Sequence, residues 1–308
     1  MSLLSSLAAN PILREYAQNA SQLHTARVAE FIAPTVSVAT YTGRYKIFTA
    51  KHRFKLPDTR RVPGGTAVRV GFTAADGTYD CQPRAVDVPL DQMHIQEGQA
   101  VGMEYAMEAA DLAAEIAGLQ HEKEVIDLAL ATAGAGTNVN VNAVDPVFTI
   151  NAALNTIRLN SPYGTAERRI VLGPTALNLL QASTFVRSRF VTAGGKAQPN
   201  VTLDDLSGMF IGKPKIMLSE MVYDTTPEGQ TAVNAFLLDT SVLLFIGSTA
   251  PSRNDPSAFK TFRQTGKWLG PRAYQTEDGR SEVFGFDWSH DVKATNTAAV
   301  SRLNLSAA

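Results

Sequence analysis

The sequence predicts a mixed α+β fold whose parts are laid out one after another, and three observations carry that prediction. Residues 36–90 have the mixed aromatic and β-branched texture of strands around a turn-rich centre. Residues from about 99 to 133 repeat apolar positions at the three- and four-residue spacings of one long helix. Residues 147–250 then alternate helix-like and strand-like runs, as a compact α/β lobe does.

Taken in order, residues 1–33 are near neutral with a helical patch at 13–23, and Pro34 closes this arm. Two strands are expected next, at 44–54 and 66–72, joined by a tip at 56–65 that holds Pro57, Pro63, Gly64 and Gly65. Two arms of about a dozen residues at roughly 3.3 Å each reach about 40 Å. Such a hairpin carries too little apolar sequence to bury itself on its own core, so it is expected to lie on something else.

In the long helix, Tyr105, Ala109, Leu112, Ile116, Leu119, Ile126 and Leu130 predict one apolar face. Glu104, Glu108, Asp111, Glu115 and Glu122 predict an acidic stripe about 100° round from it. Gly98 and Gly102 loosen the start, and Gly134-Ala135-Gly136 stops the helix after roughly 50 Å at 1.5 Å per residue. A long helix with one solvated face fits this pattern equally well.

A polar linker is expected at 138–146. Helices at 146–159, 174–182 and 203–210 then alternate with strands at 169–172, 215–222 and 235–245. A second linker at 251–256 leads to a β-rich tail at 259–293, where 282–288 alternates cleanly. No internal repeat is visible.

At 308 residues, 44% hydrophobic and 19% charged, the chain has the length and composition of a globular protein with substantial cores. A net charge of −1 argues against a dedicated nucleic-acid-binding domain. The single cysteine, Cys81, excludes an internal disulfide and fits a reducing compartment. The first ten residues lack the basic and apolar regions of a signal peptide, and no run approaches a membrane span, so a soluble intracellular chain is expected.

The near-neutral total hides a segregation. Residues 44–69 hold eight bases (Arg44, Lys46, Lys51, Arg53, Lys55, Arg60, Arg61, Arg69) against Asp58 alone, a net of +7. Residues 91–127 hold nine acids against Lys123 alone, a net of −8. Each stretch repels itself, which points to surfaces that meet each other, within one copy or between neighbouring copies.

Catalytic templates fail in turn. His121-Glu122 begins like a zinc-protease helix, but Val125 stands where the second histidine is needed. The five histidines are scattered, and one cysteine cannot build a structural zinc site. Gly134-Ala135-Gly136 follows a helix rather than a strand, and neither a phosphate-binding loop nor a Gly-x-Ser-x-Gly elbow occurs. Ser257 and Lys260 match a Ser-x-x-Lys pattern without its companion motifs. No catalytic, cofactor or metal residues are assigned, and no enzyme is expected. A rival reading takes the basic, aromatic-interleaved hairpin as a single-stranded nucleic-acid arm. The neighbouring acidic helix would repel such a ligand.

The order of parts, with residues 29–36 (Ala-Glu-Phe-Ile-Ala-Pro-Thr-Val), 43–48 (Gly-Arg-Tyr-Lys-Ile-Phe), 58–64 (Asp-Thr-Arg-Arg-Val-Pro-Gly) and 284–293, resembles the major capsid protein of tailed double-stranded-DNA bacteriophages, the Hong Kong 97-like fold. The resemblance covers nearly the whole chain and rests on architecture and short strings. It implies an N-terminal arm (1–35), an extended β-hairpin loop (36–90), a peripheral domain with spine helix and β-sheet (91–145 and 251–308) and an α/β axial domain (146–250). It further implies self-assembly through hexamers and pentamers into an icosahedral shell, with scaffolding protein, portal and packaged double-stranded DNA as partners and no membrane. The location implied is the virion, and the host cytoplasm during assembly. A nanocompartment of the same fold around protein cargo is the alternative. No cross-linking residues carry over. On this reading Arg44, Lys46, Lys51, Arg53, Lys55, Arg60, Arg61 and Arg69 of one copy are expected to contact an acidic neighbour, most economically Glu104, Glu108, Asp111 and Glu115.

Overall fold

The computed structural model describes residues 27–48, 56–69, 74–101, 105–161, 167–190, 201–227, 229–266 and 270–307. The expected helix at 13–23 lies outside them. Helix α1 (Arg27–Ile32) stops just ahead of Pro34, which has no N–H to continue it. Strands β1 (Thr35–Val38), β2 (Thr42–Phe48), β3 (Ala74–Asp80) and β4 (Gln82–Asp91) follow.

Only β2 and β3 pair as the hairpin, with Thr42 opposite Asp80 and Phe48 opposite Ala74. The flanking strands go elsewhere. β1 pairs in parallel with β11 (Phe259–Gln264), and β4 pairs antiparallel with β13 (Ser281–Ala294). The stretch 36–90, read from sequence as one loop, therefore divides, and its ends belong to a sheet. Of the expected second arm at 66–72, residues 70–72 lie outside the described residues, and 56–69 contains no strand, only a turn closed by Gly65 N to Val62 O at 2.9 Å.

The helical region starts earlier than predicted, as α2 (Gln92–Val101) and α3 (Tyr105–Ala133). Asp91 Oδ1 accepts the Met93 N–H at 2.8 Å, capping a start that periodicity alone missed. α3 ends at Gly134, whose φ of 71° favours glycine.

The predicted face of α3 needs correction. Leu112 is 47% exposed and Ile116 41%, while Ala109, Ala110, Ala113, Ala114 and Ala117 are buried against Phe284, Phe286 and Trp288 of β13. The sheet supplies the bulk in this layer, so the helix must supply small residues and approach closely. Ala113→Leu is expected to destabilise the fold by about 1–3 kcal/mol through overpacking. Leu112→Ala should stay within about 0.5 kcal/mol in the same denaturant titration. Equal effects would contradict the assigned face.

β13 is the shared strand of the peripheral sheet. β11 and β12 (Gly270–Gln275) pair along one edge and β4 along the other. Asp87, Gly285 and Arg272 stand in one row across three strands. A Cβ on Gly285 would collide with the Asp87 carboxylate, so glycine here lets Asp87 cross β13 to reach Arg272 Nη2 at 2.6 Å.

The second lobe is a five-stranded sheet ordered β5 (Thr137–Asn140), β14 (Val300–Ser306), β10 (Ser241–Gly247), β6 (Glu167–Leu172) and β7 (Lys215–Leu218). β10 is buried throughout. Two expectations change here. Part of the supposed linker at 138–146 is strand β5, and the chain end returns as β14 to this lobe rather than to the peripheral sheet. Helices α4 (Pro146–Asn160), α5 (Pro174–Ala182) and α7 (Leu203–Met209) match expectation, whereas α6 (Thr184–Arg189) was not foreseen. α1 and the end of α3 cover one face of the sheet: Phe31 meets Phe245 edge-on at 6.0 Å, and Asn304 Nδ2 donates to Ala135 O at 2.9 Å. α4 and α5 pack on the other face. A small ribbon, β8 (Val222–Asp224) and β9 (Asn234–Phe236), lies on the α3 side, where Lys123 sits over the Tyr223 ring at 5.1 Å.

Candidate assembly interface

The hairpin leaves the peripheral sheet through an aromatic stack. Tyr45 and Tyr79 project from β2 and β3 onto Phe262 of β11, with ring centroids 5.2 and 4.6 Å from it. Opposite each tyrosine stands a glycine, Gly77 facing Tyr45 and Gly43 facing Tyr79. A Cβ at either glycine would run into the ring lying across it. The loop at 251–256 grips the same base: Arg253 lies over the Tyr79 ring at 5.4 Å, and Asn254 Oδ1 accepts the Lys46 N–H at 3.3 Å.

That loop is pinned by a buried cluster. Lys260 Nζ meets Asp255 Oδ1 at 2.5 Å and donates to the carbonyls of Asp255 and Arg253 at 2.7 and 3.2 Å. Ser257 Oγ donates to Asp255 Oδ2 at 2.6 Å. Burial lowers the Lys260 pKa, and the Asp255 carboxylate opposes that shift. Ser257 and Lys260 are both shut off from solvent, so the Ser-x-x-Lys pattern marks a structural pin and offers no nucleophile to a substrate.

Among the described residues, the hairpin tip at 56–69 is exposed throughout apart from half-buried Pro57. Leu56 is 98% exposed, and Val62, Val68, Arg60, Arg61 and Arg69 are exposed with it. Arg44 is exposed on β2. Lys46 is engaged with Asp76 within the ribbon, and this hydrogen bond lowers the Asp76 pKa. Lys51, Arg53 and Lys55 lie outside the described residues, as does Glu104.

On α3 the acidic stripe is shorter than predicted. Glu108 and Glu115 are exposed and Asp111 is half-buried, with Leu112 and Ile116 interleaved among them. Glu124 is taken by Arg84 at 2.8 Å and by His290 at 3.0 Å, and Asp127 by Lys123 at 2.6 Å. Glu122 turns inward and is buried, because it follows the alanine face round the helix. The apolar component of this surface escaped the sequence reading, which had placed Leu112 and Ile116 in the core.

Burial pushes the Glu122 carboxyl up to about 7, and its Oε2 has no hydrogen-bond partner among the described residues. A carboxyl raised in the fold contributes stability below its ordinary value of 4.5 that is lost as pH rises towards 7. Glu122→Gln is therefore expected to stabilise the protein by about 3 kcal/mol at pH 8 and by almost nothing at pH 4. A gain independent of pH in urea titrations would rule this out. Neighbouring His121 has the opposite sign. Burial first, then His290, Arg263 and Arg84, depress its pKa well below 6.5, so its share of stability is lost as pH falls below that value.

Among the described residues no group of three His, Cys, Asp or Glu side chains could hold a metal ion, and no helix is long and apolar enough to cross a membrane. Cys81 is a buried free thiol under the aromatic stack.

A spine-like helix on a peripheral sheet, an axial α/β lobe and a projecting hairpin define the Hong Kong 97-like capsid fold, as the sequence resemblance implied. The chain is similar over 96% of its length to 96% of a phage-related protein from Bordetella bronchiseptica, at 17% identity and a TM-score of 0.68. It is also similar to the capsid protein of cyanophage P-SCSP1u (90% of this chain, 87% of that one, 12% identity, TM-score 0.56). The encapsulin of a holo-encapsulin complex from Synechococcus elongatus matches at 92% and 88% coverage, 13% identity and a TM-score of 0.55. No protein-family profile and no curated protein sequence matches the chain.

Proposed function

We propose that this chain is the structural subunit of an icosahedral shell, assembled through hexamers and pentamers around a double-stranded DNA phage genome. The observation that carries the reading is the hairpin tip, a basic and apolar surface left exposed among the described residues. In this reading Lys46 stays paired with Asp76 in its own ribbon, while Arg44, Lys51, Arg53, Lys55, Arg60, Arg61 and Arg69 reach over a neighbouring copy. There they meet Glu104, Glu108, Asp111 and Glu115, while Leu56 and Val62 cover Leu112 and Ile116.

Exposed ion pairs contribute about 0–1 kcal/mol each. Completing the burial of half-exposed Leu112 and Ile116 adds on the order of 1 kcal/mol apiece. Neither term holds a shell alone. Charge sets register and encounter rate, apolar contact supplies the hold, and many weak contacts per copy accumulate. Scaffolding protein, a portal and packaged DNA are the further partners of this reading, and the virion its location.

A nanocompartment around protein cargo is the second reading, favoured by the encapsulin likeness at similar coverage and TM-score. Sedimentation and negative-stain images of purified protein test the shell, and closed particles are the expected result. A species that stays at about 33 kDa under all assembly conditions contradicts it. Nuclease-protected DNA of genome length inside particles supports the capsid, whereas a stoichiometric enzyme cargo without DNA supports the compartment.

A further inference from the structure

Helix α4 carries two exposed apolar side chains on the opposite side of the axial sheet from α3. Its inner face, with Val147, Ile150, Leu154 and Ile157, is buried. Its outer face carries Phe148 and Leu159, 71% and 75% exposed and eleven residues apart on one side of the helix, with exposed Ala152 and Asn155 between them. Ile211 stands beside it, its N–H donating to Asn151 Oδ1 at 2.9 Å and its carbonyl accepting from Arg168 Nη1 at 2.5 Å. The turn that follows is strained. Lys213, at φ 45°, is the one described non-glycine residue in the left-handed region, and it is exposed next to this face. Around the face the charges are basic, from Arg168 and Lys213, and the nearby Asp145 is already paired with Arg189 at 2.5 Å.

The β8–β9 ribbon on the other side is its chemical complement. Val222 stands opposite Phe236, and both are exposed, as is Val233. Residues 220–240 contain Glu220, Asp224, Glu228 and Asp239 and no Lys, Arg or His. The ribbon is stiff: Asp224 Oδ1 accepts the N–H groups of Thr226 and Val233 at 3.0 and 3.1 Å.

We propose that these patches are the two halves of one heterologous interface, the outer α4 face of one copy seated on the acidic β8–β9 ribbon of the next copy around a ring. The inference rests on the shell reading. Two different complementary patches on opposite sides of a lobe propagate head to tail and close into rings, which a self-complementary patch cannot do. Ribbon against ribbon would set Glu220, Asp224 and Asp239 against the same three acids, a pairing that the charge pattern disfavours. Apolar contact flanked by opposite charge is what the remaining arrangement provides.

The test uses the full chain with Phe148→Cys and Phe236→Cys, together and singly, treated after assembly with a short bis-maleimide. Buried Cys81, whose thiol is pushed up to about 11, serves as the unreactive wild-type control. The double variant is expected to give a ladder of linked chains ending at a ring, while each single variant stays one chain long on denaturing gels. Shells that form but give no ladder overturn the interface and leave the shell reading standing. A dimer band from Phe148→Cys alone overturns the head-to-tail arrangement. Protein that sediments only as monomer overturns both. Phe148→Glu should lower assembly at least tenfold with an unchanged far-UV spectrum, and unimpaired assembly would also count against the interface.

Discussion

Arg60→Glu with Arg61→Glu is expected to cut shell formation at least tenfold while leaving subunit folding untouched. Both side chains are exposed at the hairpin tip and make no ion pair among the described residues, so the monomer loses nothing when they change. In the proposed assembly each would instead face Glu108 or Glu115 of the neighbour, and like charges brought together at an interface cost several kcal/mol. The measurement is particle yield by sedimentation, with the unfolding midpoint as the folding control. Normal closed shells from this double variant would strip the hairpin of its assigned role. A matching rise in wild-type assembly at low salt would support electrostatic steering.

Lys260→Ala should produce the largest loss of subunit stability, about 3–5 kcal/mol, because it leaves the Asp255 carboxylate buried without its partner. Lys215→Ala is the contrast. Lys215 also pairs with an acid, Glu167 at 3.1 Å, but is 59% exposed, so removing it should cost less than about 1 kcal/mol. Denaturant titration separates the two. Hydrogen exchange adds a sharper readout, because the Lys46 amide hangs on Asn254 in the loop that Lys260 pins. That amide should lose protection in Lys260→Ala before the core does. Equal costs for the two lysines would mean that the buried pair is not the pin described.

How far the sequence could be read depended on which partner each element packs against. α4, α5 and α7 were legible because their faces follow helical spacing against a sheet, with Pro146 and Pro174 at the first turns and Thr202 capping the third. The long helix was legible as a helix but not in its orientation. Leu112 and Ile116 look like core by hydropathy, yet the alanines are core, because Phe284, Phe286 and Trp288 fill the space from across. Nothing local to residues 105–133 reveals that. β14 was missed although 300–306 alternates, since a strand at the chain end that pairs with one 60 residues earlier leaves no local mark. The charge segregation survived, with a refinement. Glu124 and Asp127 pair within the chain and Glu122 is buried, while Glu108 and Glu115 are exposed and Asp111 is half-buried on the outward side of α3.

The flat stack of Tyr45 and Tyr79 on Phe262, with a glycine beneath each tyrosine, has a consequence for the kinetics of association. A tether free to swing at its root would have to give up that freedom at every docking event, at about 1–2 kcal/mol for each backbone residue immobilised. Here the stack holds the root when the subunit folds, so in the proposed assembly docking would not have to order β2 and β3. On that reading folding absorbs the entropy of the root, and contacts that are individually weak would then suffice to add the next copy.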